Sequence, residues 1–108
     1  MINITVMYPH AEGARFDHTY YRDRHMPMVK SRLGSACAYY TVDKGLAGRA
    51  GSPPAFVAMC AFICDSFEGY EAAMQEHRAE ILGDLANYTD IAPVLQVSEV
   101  VVERSDRP

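Results

Sequence analysis

The sequence predicts an α+β fold of four strands and two helices in the order β-α-β-β-α-β. Three observations support this prediction. Short segments alternate between apolar and polar residues or are apolar throughout, which indicates strands. Two longer segments repeat apolar residues at steps of three and four, which indicates amphipathic helices. A length of 108 residues suits a single domain, and we expect residues 1–108 to form it.

The first strand and the first helix are marked by their patterns and their end signals. Residues 2–8 alternate between a strongly apolar face and a mixed one, as a half-buried strand does. Asp17 is suited to cap a helix that runs to about Leu33. Pro27 lies inside this helix and has no backbone N–H, so we expect a kink or a break just after His25.

Two strands and a second helix are predicted in the middle of the chain. Residues 36–43 and residues 55–64 have strand-like patterns, and a loop rich in glycine and proline separates them. Asp65 followed by Glu68 has the spacing of a capping box, which predicts the start of a helix. The predicted inward face of this helix has residues at steps of three and four, namely Phe67, Tyr70, Met74, His77, Ile81 and Leu85.

The last strand is predicted over residues 94–103, after a loop over residues 87–93. The final residues, 104–108, are predicted to be frayed. The complete order of elements is that of the ferredoxin-like fold, the split β-α-β arrangement. We therefore expect an antiparallel four-stranded sheet with both helices on one face.

The third predicted strand, residues 55–64, implies a partner for the sheet. Its alternate residues are apolar on both faces, with Phe56 and Cys60 on one face and Val57 and Met59 on the other. A strand of this kind is buried on both sides, yet two helices cover only one side of the sheet. Apolar area contributes about 25 cal/mol per Å² when it is buried. We therefore expect a homodimer in which a second copy covers the other face.

Composition and charge exclude several classes of partner. The chain has a net charge of −4, and its ten lysines and arginines are scattered, so we expect neither nucleic acid nor a membrane as a partner. The longest apolar run, residues 55–64, has about half the length of a membrane span.

Three cysteines in apolar, strand-like sequence predict buried free thiols, as in a reducing compartment. No long apolar segment typical of a signal peptide opens the chain, which favours a cytoplasmic protein.

Two histidines lie on the predicted inward faces of the helices. His25 shares a face with Tyr21 and Val29, because these residues follow one another at helical spacing. Imidazole titrates near neutrality, so His25 is our candidate general acid or base. The alternative is a buried structural histidine bonded to a carbonyl or a tyrosine hydroxyl. His77 is a candidate ligand-binding residue on the second helix; its alternative is a place at the margin of that face, within reach of water.

The chain has seven tyrosines, and each combines an aromatic ring with a hydroxyl group. Packing in the core or at an interface is one role for them, and contact with an aromatic or ketone-bearing ligand is another. Tyr8 and Tyr21 lie on faces that are expected to meet. We predict that Tyr21 assists His25 in catalysis and that Tyr8 and Tyr70 contact a small apolar or aromatic ligand between the sheet and the helices.

The sequence predicts neither a metal site nor a bound cofactor. Cys60 and Cys64 share a face of the third strand, but four residues of strand place them ~13 Å apart, too far for one ion. No glycine-rich phosphate loop, nucleophile elbow or Gly-x-Gly-x-x-Gly motif is present.

The chain resembles the EthD family, which takes its name from a protein linked to ethyl tert-butyl ether degradation. The resemblance runs from Ile2 to Val102, and its most specific part is the Tyr-Tyr…His-Met-Pro segment. The residues that carry it are Tyr8-Pro9, Phe16-Asp17, Tyr20-Tyr21, His25-Met26-Pro27-Met28-Val29, Asn87-Tyr88-Thr89-Asp90, Pro93 and Gln96. The resemblance implies a ferredoxin-like subunit of a dimeric α/β barrel, with His25 in the position of the family's histidine. It also implies an oxidoreductase or an accessory factor of oxidative degradation.

Three functions are compatible with these observations. The first is a small cofactor-independent enzyme or accessory that binds an apolar carbonyl- or phenol-bearing molecule and moves a proton with His25, while Tyr21 or Tyr8 orients the ligand. The second is a non-catalytic dimer that delivers a hydrophobic intermediate to a partner enzyme. The third is haem binding through His77, which relatives in the wider barrel superfamily suggest.

Overall fold

Four strands form one antiparallel sheet in the computed structural model, which describes residues 1–105. The strands are β1 (Ile2–Pro9), β2 (Cys37–Lys44), β3 (Phe56–Cys64) and β4 (Val94–Glu99), in the spatial order β2-β3-β1-β4. Helix α1 covers residues 18–33 between β1 and β2, and helix α2 (Phe67–Gly83) lies between β3 and β4. The predicted β-α-β-β-α-β order and the ferredoxin-like α+β fold are therefore confirmed.

Helix α1 consists of three helical segments joined end to end: His18–Tyr20, a π-helical turn over Tyr21–His25, and Met26–Leu33. Asp17 caps it as predicted, because its side chain accepts a hydrogen bond from the backbone N–H of Tyr20. The backbone angles stay helical at His25 and Met26, so the helix does not break there as expected. The hydrogen-bond pattern changes instead: the N–H of Met26 donates to the carbonyl of Tyr21, five residues back. A π-turn of this kind is typical of functional sites.

Helix α2 begins differently from the prediction. Ser66, not Asp65, is the N-cap: its backbone is extended, and its hydroxyl accepts from the N–H of Gly69 at 3.1 Å. The capping box predicted from Asp65 and Glu68 is therefore wrong by one residue. Phe67 is also more exposed than its place in the predicted inward face implied, because it lies in the first turn, before the helix passes over the sheet.

The last strand is shorter than predicted. Residues 94–103 were expected to be extended, but β4 ends at Glu99, which pairs with Ile2. Strand β1 begins at Ile2, so residues 100–105 have no further part of β1 to pair with; the N–H of Val100 makes one more backbone hydrogen bond, to the carbonyl of Met1. Of the predicted frayed end, residues 106–108 lie outside the described residues.

The core lies between the sheet and the two helices. Ile4, Cys60 and Phe62 from the sheet are buried there against Val29 and Leu33 of α1. All three cysteines are free and buried, as predicted. Within residues 1–105, no helix is long and apolar enough to cross a membrane.

Candidate functional site

A cavity of about 250 Å³ lies between the helix-facing side of the sheet and the two helices. Strands β1, β3 and β4 form its floor and α1 and α2 its walls, and most of the lining side chains are hydrocarbon. Four of the five predicted site residues line it: Tyr8, Tyr21, His25 and Tyr70. The apolar lining residues are Val6, Met26, Val29, Phe62, Met74, Ile81, Leu82, Leu85, Pro93 and Leu95.

The His25 imidazole is held by a carboxylate. His25 is 4% exposed, and its Nδ1 lies 2.9 Å from Oδ2 of Asp84, the residue that follows the last turn of α2. An ionised carboxylate only accepts hydrogen bonds, so the Nδ1 atom carries the hydrogen and donates it. No hydrogen bond among the described residues involves Nε2 of His25. The Nε2 atom therefore has a lone pair that no described residue uses, and His25 is one of the residues that line the cavity.

Two further donors keep Asp84 ionised. The Tyr20 hydroxyl donates to Oδ1 of Asp84 at 2.6 Å, and the Asn87 amide donates to the same oxygen at 2.9 Å. Burial acts to raise the pKa of Asp84, but the hydrogen bonds from Tyr20, Asn87 and His25 outweigh it and lower this pKa below its usual value. The carboxylate is thus a fixed negative charge on the outer side of His25.

Burial lowers the pKa of His25 below its usual value, and the hydrogen bond and charge of Asp84 only partly oppose this effect. The imidazole is therefore neutral at pH 7. Its ring is stacked on the Tyr21 ring, with centroids 5.8 Å apart and an interplanar angle of 17°, and the Tyr88 ring lies 4.7 Å away. These two rings and Asp84 fix the orientation of the imidazole.

The Tyr21 hydroxyl has no hydrogen-bond partner among the described residues, although Tyr21 is only 1% exposed. The Cys60 thiol and the Tyr8 ring lie beside it, but neither has hydrogen-bond geometry with it. Burial raises the pKa of Tyr21 far above its usual value, with Cys60 and Tyr8 adding to the effect. The phenol is thus a neutral donor with no acceptor among residues 1–105.

Two of the other tyrosines at the site are paired with each other. The hydroxyls of Tyr8 and Tyr88 lie 2.7 Å apart and form a buried hydrogen bond with each other. Burial raises the pKa of Tyr8 to about 12, so it stays protonated. Tyr70, on α2, is also buried, and burial raises its pKa to about 12.

The structure does not bring His77 to the cavity. His77 is half-buried on α2, its side chain is 29% exposed, and its Nε2 lies 3.9 Å from a carboxylate oxygen of Glu76. It therefore occupies the margin of the inward face, which was the alternative position considered from the sequence. Within residues 1–105, no group of three or more His, Cys, Asp or Glu side chains is arranged to hold a metal ion.

Sequence reasoning missed Asp84 and Tyr88, the two residues that hold the imidazole. Both lie around the 3₁₀ turn Leu85–Asn87 that follows α2, where helical periodicity has ended. The signal that was available is the cluster of polar residues at that point, including Asn87 and Thr89, in a segment that was treated as a loop.

Comparisons with known proteins place these features in a family. The model of the EthD domain matches residues 10–92, which is most of the chain. An EthD-like protein from Ralstonia eutropha JMP134, known from a crystal structure, has 80% sequence identity; the match covers 98% of this chain and 96% of that chain, with a TM-score of 0.95. No curated protein matches the chain.

Two more distant structures share the fold. An ethyl tert-butyl ether degradation (EthD) family protein from Bacillus halodurans C-125 has 18% identity and a TM-score of 0.69, over 92% of this chain and 97% of that chain. HapK from Hahella chejuensis has 10% identity and a TM-score of 0.67, with both chains covered completely. The family model and the 80% identical relative carry the assignment: the chain belongs to the EthD family.

Proposed function

We propose that this protein binds a small apolar carbonyl- or phenol-type molecule in the cavity and transfers a proton with His25. The observation that supports this most directly is the state of the imidazole. It is neutral, it is held at Nδ1 by Asp84, and it has a free lone pair at Nε2 beside an apolar cavity. A general base needs this combination of a fixed position and an available lone pair.

In the proposed reaction, Nε2 of His25 removes a proton from the carbon next to a carbonyl group. The electron pair of that C–H bond moves toward the carbonyl oxygen, which accepts a hydrogen bond from the Tyr21 hydroxyl. Asp84 stabilises the imidazolium that forms, because its negative charge lies 2.9 Å from Nδ1. His25 then returns the proton. With a phenol as ligand, the same nitrogen accepts the proton of the hydroxyl group.

Deuterium exchange tests this proposal. Acetophenone carries one ring, one carbonyl group and exchangeable hydrogens on its methyl group, and NMR follows their replacement in D₂O. We expect His25→Gln to slow the catalysed exchange by about 10²- to 10⁴-fold, the range for a general base. His77→Gln is the matched control, because His77 lies outside the cavity and should be dispensable. Exchange at the wild-type rate in a folded His25→Gln variant would contradict the proposal.

The alternative is a non-catalytic protein that delivers a hydrophobic intermediate to a partner enzyme. The apolar lining and the half-exposed Leu82 and Leu95 beside the cavity are compatible with this role. Binding of acetophenone without any exchange above background would favour it. The haem hypothesis rests on His77, and the position of that residue outside the cavity does not support it.

Other parts of the proposal concern the assembly, the location and the type of reaction. We propose a homodimer, because Val57 and Met59 on the side of the sheet away from the helices stay partly exposed in one chain. Three buried free thiols suit a reducing compartment, so the cytoplasm is the proposed location. His25 and Tyr21 are acid–base groups, and they support proton transfer more directly than the oxidoreductase activity implied by the family resemblance.

A further inference from the structure

We propose that the natural ligand of the cavity is an uncharged molecule about one substituted ring in size, with a single oxygen that accepts a hydrogen bond from Tyr21. This inference rests on the proposed function, because it concerns the same cavity. It narrows the ligand class by charge, by size and by the number of polar groups.

The first argument is the unpaired Tyr21 hydroxyl. Native proteins pair nearly all buried polar groups, and each exception requires an explanation. The Cys60 thiol and the Tyr8 hydroxyl are the alternative acceptors beside it. A thiol is a weak acceptor, the Tyr8 hydroxyl is bonded to that of Tyr88, and neither group has hydrogen-bond geometry with the Tyr21 hydroxyl. The same hydroxyl belongs to a residue that lines the cavity. A ligand oxygen in the cavity would supply the missing acceptor after a small shift of the Tyr21 side chain, because the hydroxyl itself is buried behind the cavity surface.

The second argument is the small number of polar groups at the site. Tyr8 and Tyr88 already bond to each other, and Nδ1 of His25 bonds to Asp84. The hydroxyls of Tyr21 and Tyr70 and the Nε2 atom of His25 make no hydrogen bond with the described residues, and most of the other lining side chains are hydrocarbon. A ligand with several hydroxyl or amide groups would lose its hydrogen bonds to water and regain few of them here. A ligand with one oxygen, whose two lone pairs can accept from these tyrosine hydroxyls, matches this small set of polar groups.

The third argument is charge. Among residues 1–105, no lysine or arginine lines the cavity, while the negative charge of Asp84 lies directly behind His25. An anionic ligand would be desolvated without a cation to pair with and would be repelled by this carboxylate. A cationic ligand would also lack a partner of opposite charge. The nearby carboxylate, Asp84, already accepts three hydrogen bonds from the protein.

The fourth argument is size. An engineered apolar cavity of about 150 Å³ holds one benzene molecule. The volume of about 250 Å³ here therefore accepts one ring with a few further atoms. It is below the ~300 to 1,000 Å³ of pockets for drug-sized ligands.

Three probes of nearly the same shape test these arguments by calorimetry. Acetophenone has a carbonyl group, α-methylstyrene replaces its oxygen with a methylene group, and benzoate replaces its methyl group with a charged oxygen. We expect Tyr21→Phe to weaken acetophenone binding by about tenfold and to change α-methylstyrene binding by less than about twofold. Benzoate should bind the wild type at least about tenfold more weakly than acetophenone.

Tyr40→Phe is the matched control, since it removes a tyrosine hydroxyl from β2 at a residue that does not line the cavity. It should leave binding of all three probes unchanged. Tyr21→Phe removes an unpaired group, so we expect it to fold, and its binding of α-methylstyrene would demonstrate an intact cavity. Equal loss of both neutral probes in Tyr21→Phe, benzoate binding as tight as that of acetophenone, or no binding of either neutral probe to the wild type would each overturn the inference.

The binding and exchange experiments separate the two proposals. Acetophenone that binds through Tyr21 but does not exchange its methyl hydrogens would contradict proton transfer and leave the inference about the ligand class intact. The opposite result is exchange that depends on His25, together with binding of acetophenone that Tyr21→Phe does not weaken. It would support proton transfer and contradict the inference about the ligand class.

Discussion

The pKa and the hydrogen bonding of the His25 imidazole depend on residues that are far away in the sequence. Helical spacing in α1 shows that Tyr21 and His25 share a face, and the π-turn places both of them in the core. The partner carboxylate, Asp84, lies 59 residues later, and its contact with Nδ1 depends on how α2 packs against α1. Periodicity describes one element at a time, so the sequence identified His25 as a candidate base but did not identify Asp84 as its hydrogen-bond partner.

Replacement of the Asp84 carboxylate tests how its charge affects the pKa of His25. Asp84 acts to raise the pKa of His25 against the larger effect of burial. In Asp84→Asn the amide oxygen still accepts from Nδ1, but the negative charge is gone. We therefore expect the pKa of His25 to fall further below its usual value, as measured by NMR titration of the ring. Asp90→Asn is a suitable control, because this carboxylate bonds to the exposed backbone of Arg15. An unchanged or raised pKa of His25 in Asp84→Asn would contradict this account.

The same groups make stability depend on pH. The pKa of His25 is lower in the folded state than the unfolded value of about 6.5, so the unfolded chain binds the proton more readily. The contribution of His25 is therefore complete above pH 6.5 and is lost as the pH falls through the folded pKa. Asp84, whose pKa is also lowered, adds a further loss below about pH 3.8. His18 acts in the same direction as His25, but it is more exposed.

Chemical unfolding between pH 7.5 and pH 5, at one protein concentration, measures this effect. The free energy of unfolding should decrease as the pH is lowered, and His25→Gln should decrease less over the same range. A variant that loses as much stability as the wild type would show that His25 does not carry the effect.

At the scale of the elements, the sequence predicted the type and order of the helices and strands correctly, but it predicted the residues at which they begin and end less accurately. Apolar periodicity reports how a segment packs against the core, which is why both helices and all four strands were found. The end of a strand depends instead on its neighbour: β4 stops at Glu99 because β1 begins at Ile2. The start of α2 depends on which of two adjacent cap residues, Asp65 or Ser66, has the extended backbone.

The cap of α2 gives a direct comparison of the predicted and the observed residue. Ser66→Ala removes the hydroxyl that accepts from the N–H of Gly69, and such losses cost about 1 kcal/mol. For a chain of this size, that corresponds to a decrease in melting temperature of roughly 4 to 8 °C. Asp65→Ala is the matched control and should have a smaller effect, because Asp65 precedes the cap. A larger loss for Asp65→Ala would support the capping box that the sequence suggested.

At the scale of the whole molecule, the two faces of the sheet differ in how well one chain covers them. On the helix-facing side, Ala58, Cys60 and Phe62 of β3 are buried. On the other side, Val57 and Met59 are only partly buried within the chain. The sequence showed that β3 is apolar on both faces, and in the proposed homodimer a second copy would cover the face that the helices leave open. No periodicity within one chain specifies how a second copy is placed.

Disruption of the open face tests the proposed homodimer. Met59→Lys would place a charge in the middle of an apolar interface, where it has no partner, and burial of an unpaired charge is strongly unfavourable. In sedimentation equilibrium we expect the wild type to have twice the 12.0 kDa mass of one chain and Met59→Lys to have the mass of a monomer. Leu46→Lys is the control, because Leu46 is 85% exposed in the loop between β2 and β3, away from this face. A wild type that is monomeric at micromolar concentration, or a Met59→Lys variant that remains dimeric, would contradict pairing through this face.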